Sequence, residues 1–209
     1  MYDPLDEVGT KEGFGEDFFE NENEPPEAWE IEQKNQRMLR RHKEFRIAAE
    51  YVAAALADIP EVQKVALFGS VAVPLQEEIP RFWRFCHFNC DILHECMDVD
   101  LAVWMSDLEN LKSVQKARAR ALNKFQEERQ FGVAHHQADV FILELGTNRY
   151  LGRLCLYGKC PKDKRECLVP DCGRFRFLQQ FVGFRFYPDA LADEAVIVLY
   201  DRQTSLEIQ

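Results

Sequence analysis

Two carboxylates stand two residues apart at the head of an apolar run, Asp98-Val-Asp100-Leu-Ala-Val-Trp104, and this segment constrains the chain more than any other. A strand turns alternate side chains to opposite faces, so both acids fall on one face and Val99 on the other. Neighbouring carboxylates repel each other unless a cation lies between them, and hard oxygen donors suit Mg²⁺. A third acid opens a similar run, Asp139-Val-Phe-Ile-Leu143, from which it can complete the site on a neighbouring strand. Upstream, Val65-Ala-Leu-Phe-Gly69-Ser70 is an apolar run that stops at a Gly-Ser turn. Backbone N–H groups and a small hydroxyl at such a turn can hold a phosphate. Each piece alone has a plainer reading, since a lone Asp-x-Asp is commonly a solvated strand end and a lone Gly-Ser a simple turn.

The segments between these runs supply helices. Residues 27–57 form a long helical pattern ending at Asp58-Ile-Pro60, and its second half repeats Phe45, Ala48/Ala49, Val52 and Ala55/Leu56 at the spacing of one buried face. Strands are expected over Val62–Phe68, Met97–Met105, Ala138–Leu143 and Ala195–Tyr200. Between the second and third, Asp107 is read as the cap of a helix to about Gln130, with Leu108, Leu111, Val114, Ala117, Ala121 and Phe125 on one side. A further helix is expected to begin near Thr147. Strands alternating with helices indicate an α/β or α+β fold, a mixed sheet flanked by helices. The divisions expected are an acidic, mobile tail over 1–26, a core over 27–145, a Cys-rich basic and aromatic segment over 146–187, and a last strand over 188–209 packing on the core.

In the order helix, strand-Gly-Ser, strand-Asp-x-Asp, helix, strand-Asp, the chain resembles the polymerase-β-like nucleotidyltransferase superfamily, and within it the minimal nucleotidyltransferase domains. Gly69, Ser70, Asp98, Asp100 and Asp139 fall on the family's motif positions, and the likeness covers roughly residues 43–143. The resemblance implies a mixed sheet of nucleotidyltransferase type and transfer of a nucleoside monophosphate from an NTP. The acceptor would be a hydroxyl of a protein, an RNA or a small molecule. It also implies two Mg²⁺ ions bridged by Asp98 and Asp100. Asp139 would hold the metal beside the acceptor hydroxyl, and Gly69 and Ser70 would cradle the β- and γ-phosphates. Two features differ from the family pattern. No Arg or Lys follows the turn, which reads Ser70-Val-Ala-Val-Pro-Leu75, leaving Arg81 or Arg84 to supply that charge. And 27 residues separate Ser70 from Asp98 where the family has about a dozen. The alternative is a non-catalytic protein of this fold that binds nucleic acid or a protein partner, an antitoxin-like role included.

Within that insertion, Cys86, Cys90 and His94 would share a metal-binding face on a helix; the plainer and favoured reading is a buried stripe of Phe82, Cys86, Cys90, Leu93 and Met97. Cys155, Cys160, Cys167 and Cys172 lie in a turn-rich stretch of eighteen residues. Four thiolates so placed can close a structural Zn²⁺ site, although the stretch lacks a Cys-x-x-Cys knuckle; ordinary reduced cysteines are the even alternative.

Charge is distributed unevenly. The net −10 of the chain lies entirely in residues 1–30, which carry eleven acids and one base. Residues 145–186 carry nine bases and three acids, and Arg174-Phe-Arg-Phe177 and Phe184-Arg-Phe-Tyr187 alternate base with ring. Such alternation suits stacked nucleic acid, but it is also the pattern of a half-buried strand, which is the favoured reading. The N-terminus shows no secretory signal and no apolar run is long enough to span a membrane, so a cytoplasmic protein with no membrane partner is expected.

Overall fold

The computed structural model describes residues 23–81, 83–157, 172 and 174–206; the acidic residues 1–22 lie outside it. Helix α1 (Ala28–Ala57) leads into strand β1 (Val62–Phe68), and a small hairpin of β2 (Glu77–Glu78) and β3 (Ile92–Leu93) brackets the short helix α2 (Trp83–His87). Then come β4 (Val99–Met105), α3 (Leu111–Arg129), β5 (Ala138–Glu144), β6 (Tyr150–Leu154), β7 (Leu178–Gln179), β8 (Ile197–Asp201) and α4 (Arg202–Leu206). The main sheet has six strands in the order β7-β6-β5-β4-β1-β8. Its β4–β5 pair is parallel and its other pairs are antiparallel. The fold is therefore mixed α/β, and no helix among the described residues is long and apolar enough to cross a membrane.

Period-two alternation sorts the strands between two cores. Val65, Leu67, Val99, Leu101, Val103, Val140 and Ile142 face α1 and α3, whose Phe45, Ala49, Val52, Leu56, Leu111, Val114, Leu122 and Phe125 close over them. The other face buries Ala66, Phe68, Ala102, Trp104, Phe141 and Leu143 beneath Leu191 and the half-buried Phe186. Asp100 and Asp139 belong to this second face, in phase with Ala102 and Phe141. At the outer edge, β8 pairs with β1. Arg202, in α4, donates to the carbonyls of Ala57, Ile59 and Val62 at 3.1, 2.9 and 3.1 Å.

Several local expectations are corrected. α3 starts at Leu111 behind Asn110, because the Asp107 carboxylate is spent on the Glu109 N–H (2.9 Å) and forms a turn ahead of the helix. No helix begins near Thr147: residues 150–154 are strand, with Gly152 held at φ +152° where a Cβ would strike Leu178 of β7 and Gln180 just after it. The insertion is helical only to His87, since Asn89 takes a left-handed φ of 52°. Neither a metal face nor a buried stripe forms there: Cys86 and Met97 are exposed, and His94 pairs with Glu78 (2.8 Å). The insertion is instead tied to the first half of α1, by Arg84 on Glu30 (2.7 Å), by Asn35 accepting from the Leu93 N–H (2.8 Å) and by Arg41 on Glu95 (3.1 Å). Residues 174–187 hold only the two strand residues of β7, so the half-buried strand is not formed; Phe175 and Tyr187 are exposed and Phe177 is buried.

Candidate active site

The register of three strands assembles the acids. Asp100 pairs with Phe68 of β1 on one side and with Asp139 of β5 on the other. Asp98 precedes β4 by one residue, and its charge acts on both Asp100 and Asp139. Gly69 follows Phe68 at φ +75°, and a Cβ added to it would lie 2.9 Å from Asp100 Oδ2. Only glycine combines that left-handed backbone with so close an approach. Gly69→Ala is expected to cost about 1–3 kcal/mol in urea denaturation, through backbone strain and displacement of Asp100; an unchanged midpoint would refute the close packing.

The turn itself is fixed from α1. Arg46 donates through Nε to the Val71 carbonyl and through Nη2 to the Ala72 carbonyl, both at 2.8 Å, and the Val73 carbonyl accepts from His42 Nε2 at 2.9 Å. Burial holds the His42 pKa below its ordinary value, consistent with a neutral ring. Burial pushes the Cys96 thiol up, against a lowering influence of Ser70. Arg46, His42 and Cys96 carry no motif signal and were not legible as parts of the site.

Electrostatically the acids act as a set. Burial, then the Asp139 and Asp98 carboxylates, push Asp100 up to about 6. Asp139 is also raised, mainly by burial, against the pull of Arg153. That arginine, from β6, places Nη1 2.5 Å from Asp139 Oδ2. Its guanidinium carbon lies 4.8 Å from the Phe141 ring centroid, 4.5 Å from Phe181 and 5.6 Å from Phe184. Below the same strand end, the fully buried Arg118 donates to the Ala138 carbonyl at 2.9 Å, while its Nε and Nη2 find no partner among the described residues.

Three carboxylates that act on one another form a hard donor set that suits a divalent cation, and neither Asp98 nor Asp100 has a hydrogen-bond or ion-pair partner among the described residues. The acids are not drawn to one point, however. Among the described residues no three His, Cys, Asp or Glu side chains gather closely enough to hold a metal ion, and Asp139 is turned to Arg153 instead. Arg84, the alternative source of a phosphate-binding charge, is buried against Glu30 and donates to the Glu24 and Pro25 carbonyls. Of the cysteine set, Cys155 is buried at the end of β6 and Cys172 is half-buried; Cys160 and Cys167 lie outside the described residues. Comparison of the chain with protein-family models, with curated proteins and with solved structures finds no match.

Proposed function

We propose that this chain is a metal-dependent nucleotidyltransferase, moving a nucleoside monophosphate from an NTP to a hydroxyl of a protein, an RNA or a small molecule. The observation that carries the reading is the register of Phe68, Asp100 and Asp139 across three adjacent strands. It sets two acids side by side and brings the Gly69 backbone against one of them. Asp98 and Asp100, which have no hydrogen-bond or ion-pair partner among the described residues, would hold Mg²⁺, and Asp139 would join them once free of Arg153. Bound Mg²⁺ would supply Lewis acidity at the attacking and leaving oxygens. Asp139 would also receive the proton of the acceptor hydroxyl. Gly69 and Ser70 would present backbone N–H groups and a hydroxyl to the phosphates.

The test is incorporation of label from an α-phosphate-labelled NTP with Mg²⁺ or Mn²⁺, into cellular protein, RNA and small-molecule fractions. Label is expected in one fraction, and Asp98→Ala is expected to abolish it. Undiminished labelling by Asp98→Ala would overturn the assignment.

A second reading is favoured by the Arg153–Asp139 pair. If that arginine is a permanent substitute for metal, the sheet is a binding scaffold and the exposed Arg174, Phe175, Arg176, Arg185 and Tyr187 are its working surface. Calorimetry with Mg²⁺ and each NTP separates the two, because the scaffold binds no nucleotide in a metal-dependent way.

A further inference from the structure

Among the described residues the ion pair between Arg153 and Asp139 differs from three other arginine pairs in a way that bears on what Arg153 is for, and shares its single-contact form with Arg41 on Glu95, which lies away from the acids on α1. Arg149 grips Glu144 with two nitrogens on two oxygens (2.9 and 2.5 Å), Arg129 grips Glu44 likewise (3.1 and 2.7 Å), and so does Arg84 on Glu30 (2.7 and 3.2 Å). Such fork-to-fork pairing is the arrangement of a structural arginine. Arg153 makes a single contact, Nη1 to Oδ2, and its buried Nε has no partner among the described residues. The remainder of its guanidinium is held by the faces of Phe141, Phe181 and Phe184. Rings attract a cation without directing it, so the head can turn on its stem while staying between them.

The charges around it do not balance. Asp98, Asp100 and Asp139 act on one another, and Arg153 satisfies only one of them. The buried Arg118 also acts on Asp139 from below, and Asp98 and Asp100 are left with no ion-pair partner among the described residues, which leaves room for a divalent cation. Once such a cation takes the Asp139 oxygen, Arg153 faces a like charge and must turn from that carboxylate. The arginines near the Gly69 turn are otherwise committed: Arg46 to the Val71 and Ala72 carbonyls, Arg84 to Glu30. No base follows Ser70 through Leu75.

We infer that Arg153 is an exchangeable counter-ion: it neutralises Asp139 while no metal is bound, and passes to a phosphate of the nucleotide when metal takes that carboxylate. It thereby supplies, from β6, the positive charge that the segment after Gly69-Ser70 lacks. The inference rests on the nucleotidyltransferase reading and adds to it a phosphate-binding residue. Exchange also makes metal and nucleotide cooperative, since each removes what opposes the other.

The experiment uses the full chain and two binding measurements. Mn²⁺ affinity is read by electron paramagnetic resonance without nucleotide, and affinity for a non-hydrolysable NTP analogue is read by calorimetry at saturating Mg²⁺. Arg153→Met keeps the stem on the rings and removes the charge. It is expected to bind Mn²⁺ about tenfold more tightly and the analogue about tenfold more weakly, opposite shifts of about 1.4 kcal/mol. Arg153→Gln is read the same way if the methionine variant does not fold. Unchanged or weaker Mn²⁺ binding overturns the inference, and so does tighter Mn²⁺ binding with unchanged analogue binding, which makes Arg153 a plug only. In both cases metal-dependent analogue binding by the natural chain leaves the nucleotidyltransferase reading standing. If the natural chain binds no analogue with metal while Arg153→Met gains Mn²⁺ binding, the pair is permanent and both readings fall.

Discussion

Asp100→Asn is expected to make the metal-free protein more stable at pH 7 by about 3 kcal/mol and, under the proposed function, to abolish nucleotidyl transfer. Folding pushes the Asp100 carboxyl up to about 6 from an ordinary 3.8, through burial and the Asp139 and Asp98 charges. A raised carboxyl pKa means that the folded chain holds its proton more tightly than the unfolded chain does. Stability from this group is therefore fully present below about pH 4 and is lost as pH rises through about 6. Asparagine has the same shape without the charge and avoids the loss. Melting curves in chelator from pH 4 to 8 check it. The variant and the natural chain should converge at the acid end and separate by several degrees above pH 6. Added Mg²⁺ should narrow the gap by stabilising only the natural chain. Equal melting temperatures at pH 7 would refute the electrostatic strain at the site.

The largest loss of stability is expected from Phe125→Ala, about 3–5 kcal/mol. Phe125 is fully buried in α3 and joins the two helices through edge-on contacts to Tyr51 (5.5 Å) and Phe131, the latter also meeting Phe45 of α1. Its removal leaves a cavity lined by residues anchored on two long helices and a sheet, which have little freedom to collapse into it. Phe125 stands across the sheet from the acids, so the fraction that remains folded should keep its nucleotide affinity. Urea denaturation and calorimetry below the transition measure the two effects. A loss under 1 kcal/mol would mean that the interface repacks.

What was legible in the chain is what local periodicity encodes. The strand Val62–Phe68 and the helix ending at Ala57 fall where spacing put them, and Asp100 sits in the regular strand β4 with Asp98 one residue ahead of it. That Asp139 lies beside Asp100 depends on a parallel register no local pattern states. β6 was misread because Gly152 and Arg153, with Arg149 just ahead of them, weaken its strand character; it is held between β5 and β7, the latter some twenty-five residues away. With β6 misread, Arg153 could not be placed. The signal was nonetheless there: Leu145-Gly-Thr-Asn148 is a turn, Gly146 takes φ +76°, and a hairpin closing on it sets Arg153 opposite Phe141, two residues beyond Asp139. The insertion failed for the same reason as β6, since a short helix stops wherever its tertiary contacts do.

The edge pairing of β8 with β1 bears on how the molecule is made. During synthesis β1 and the Gly69 turn emerge early, yet one side of β1 stays open until residues 197–201 leave the ribosome more than a hundred residues later. The carbonyls of Ala57, Ile59 and Val62 likewise wait for Arg202. The Gly69 turn therefore reaches its final support only after residues 197–201 have emerged, and a nascent chain stalled before Ile197 carries the three acids on a sheet with an unprotected edge.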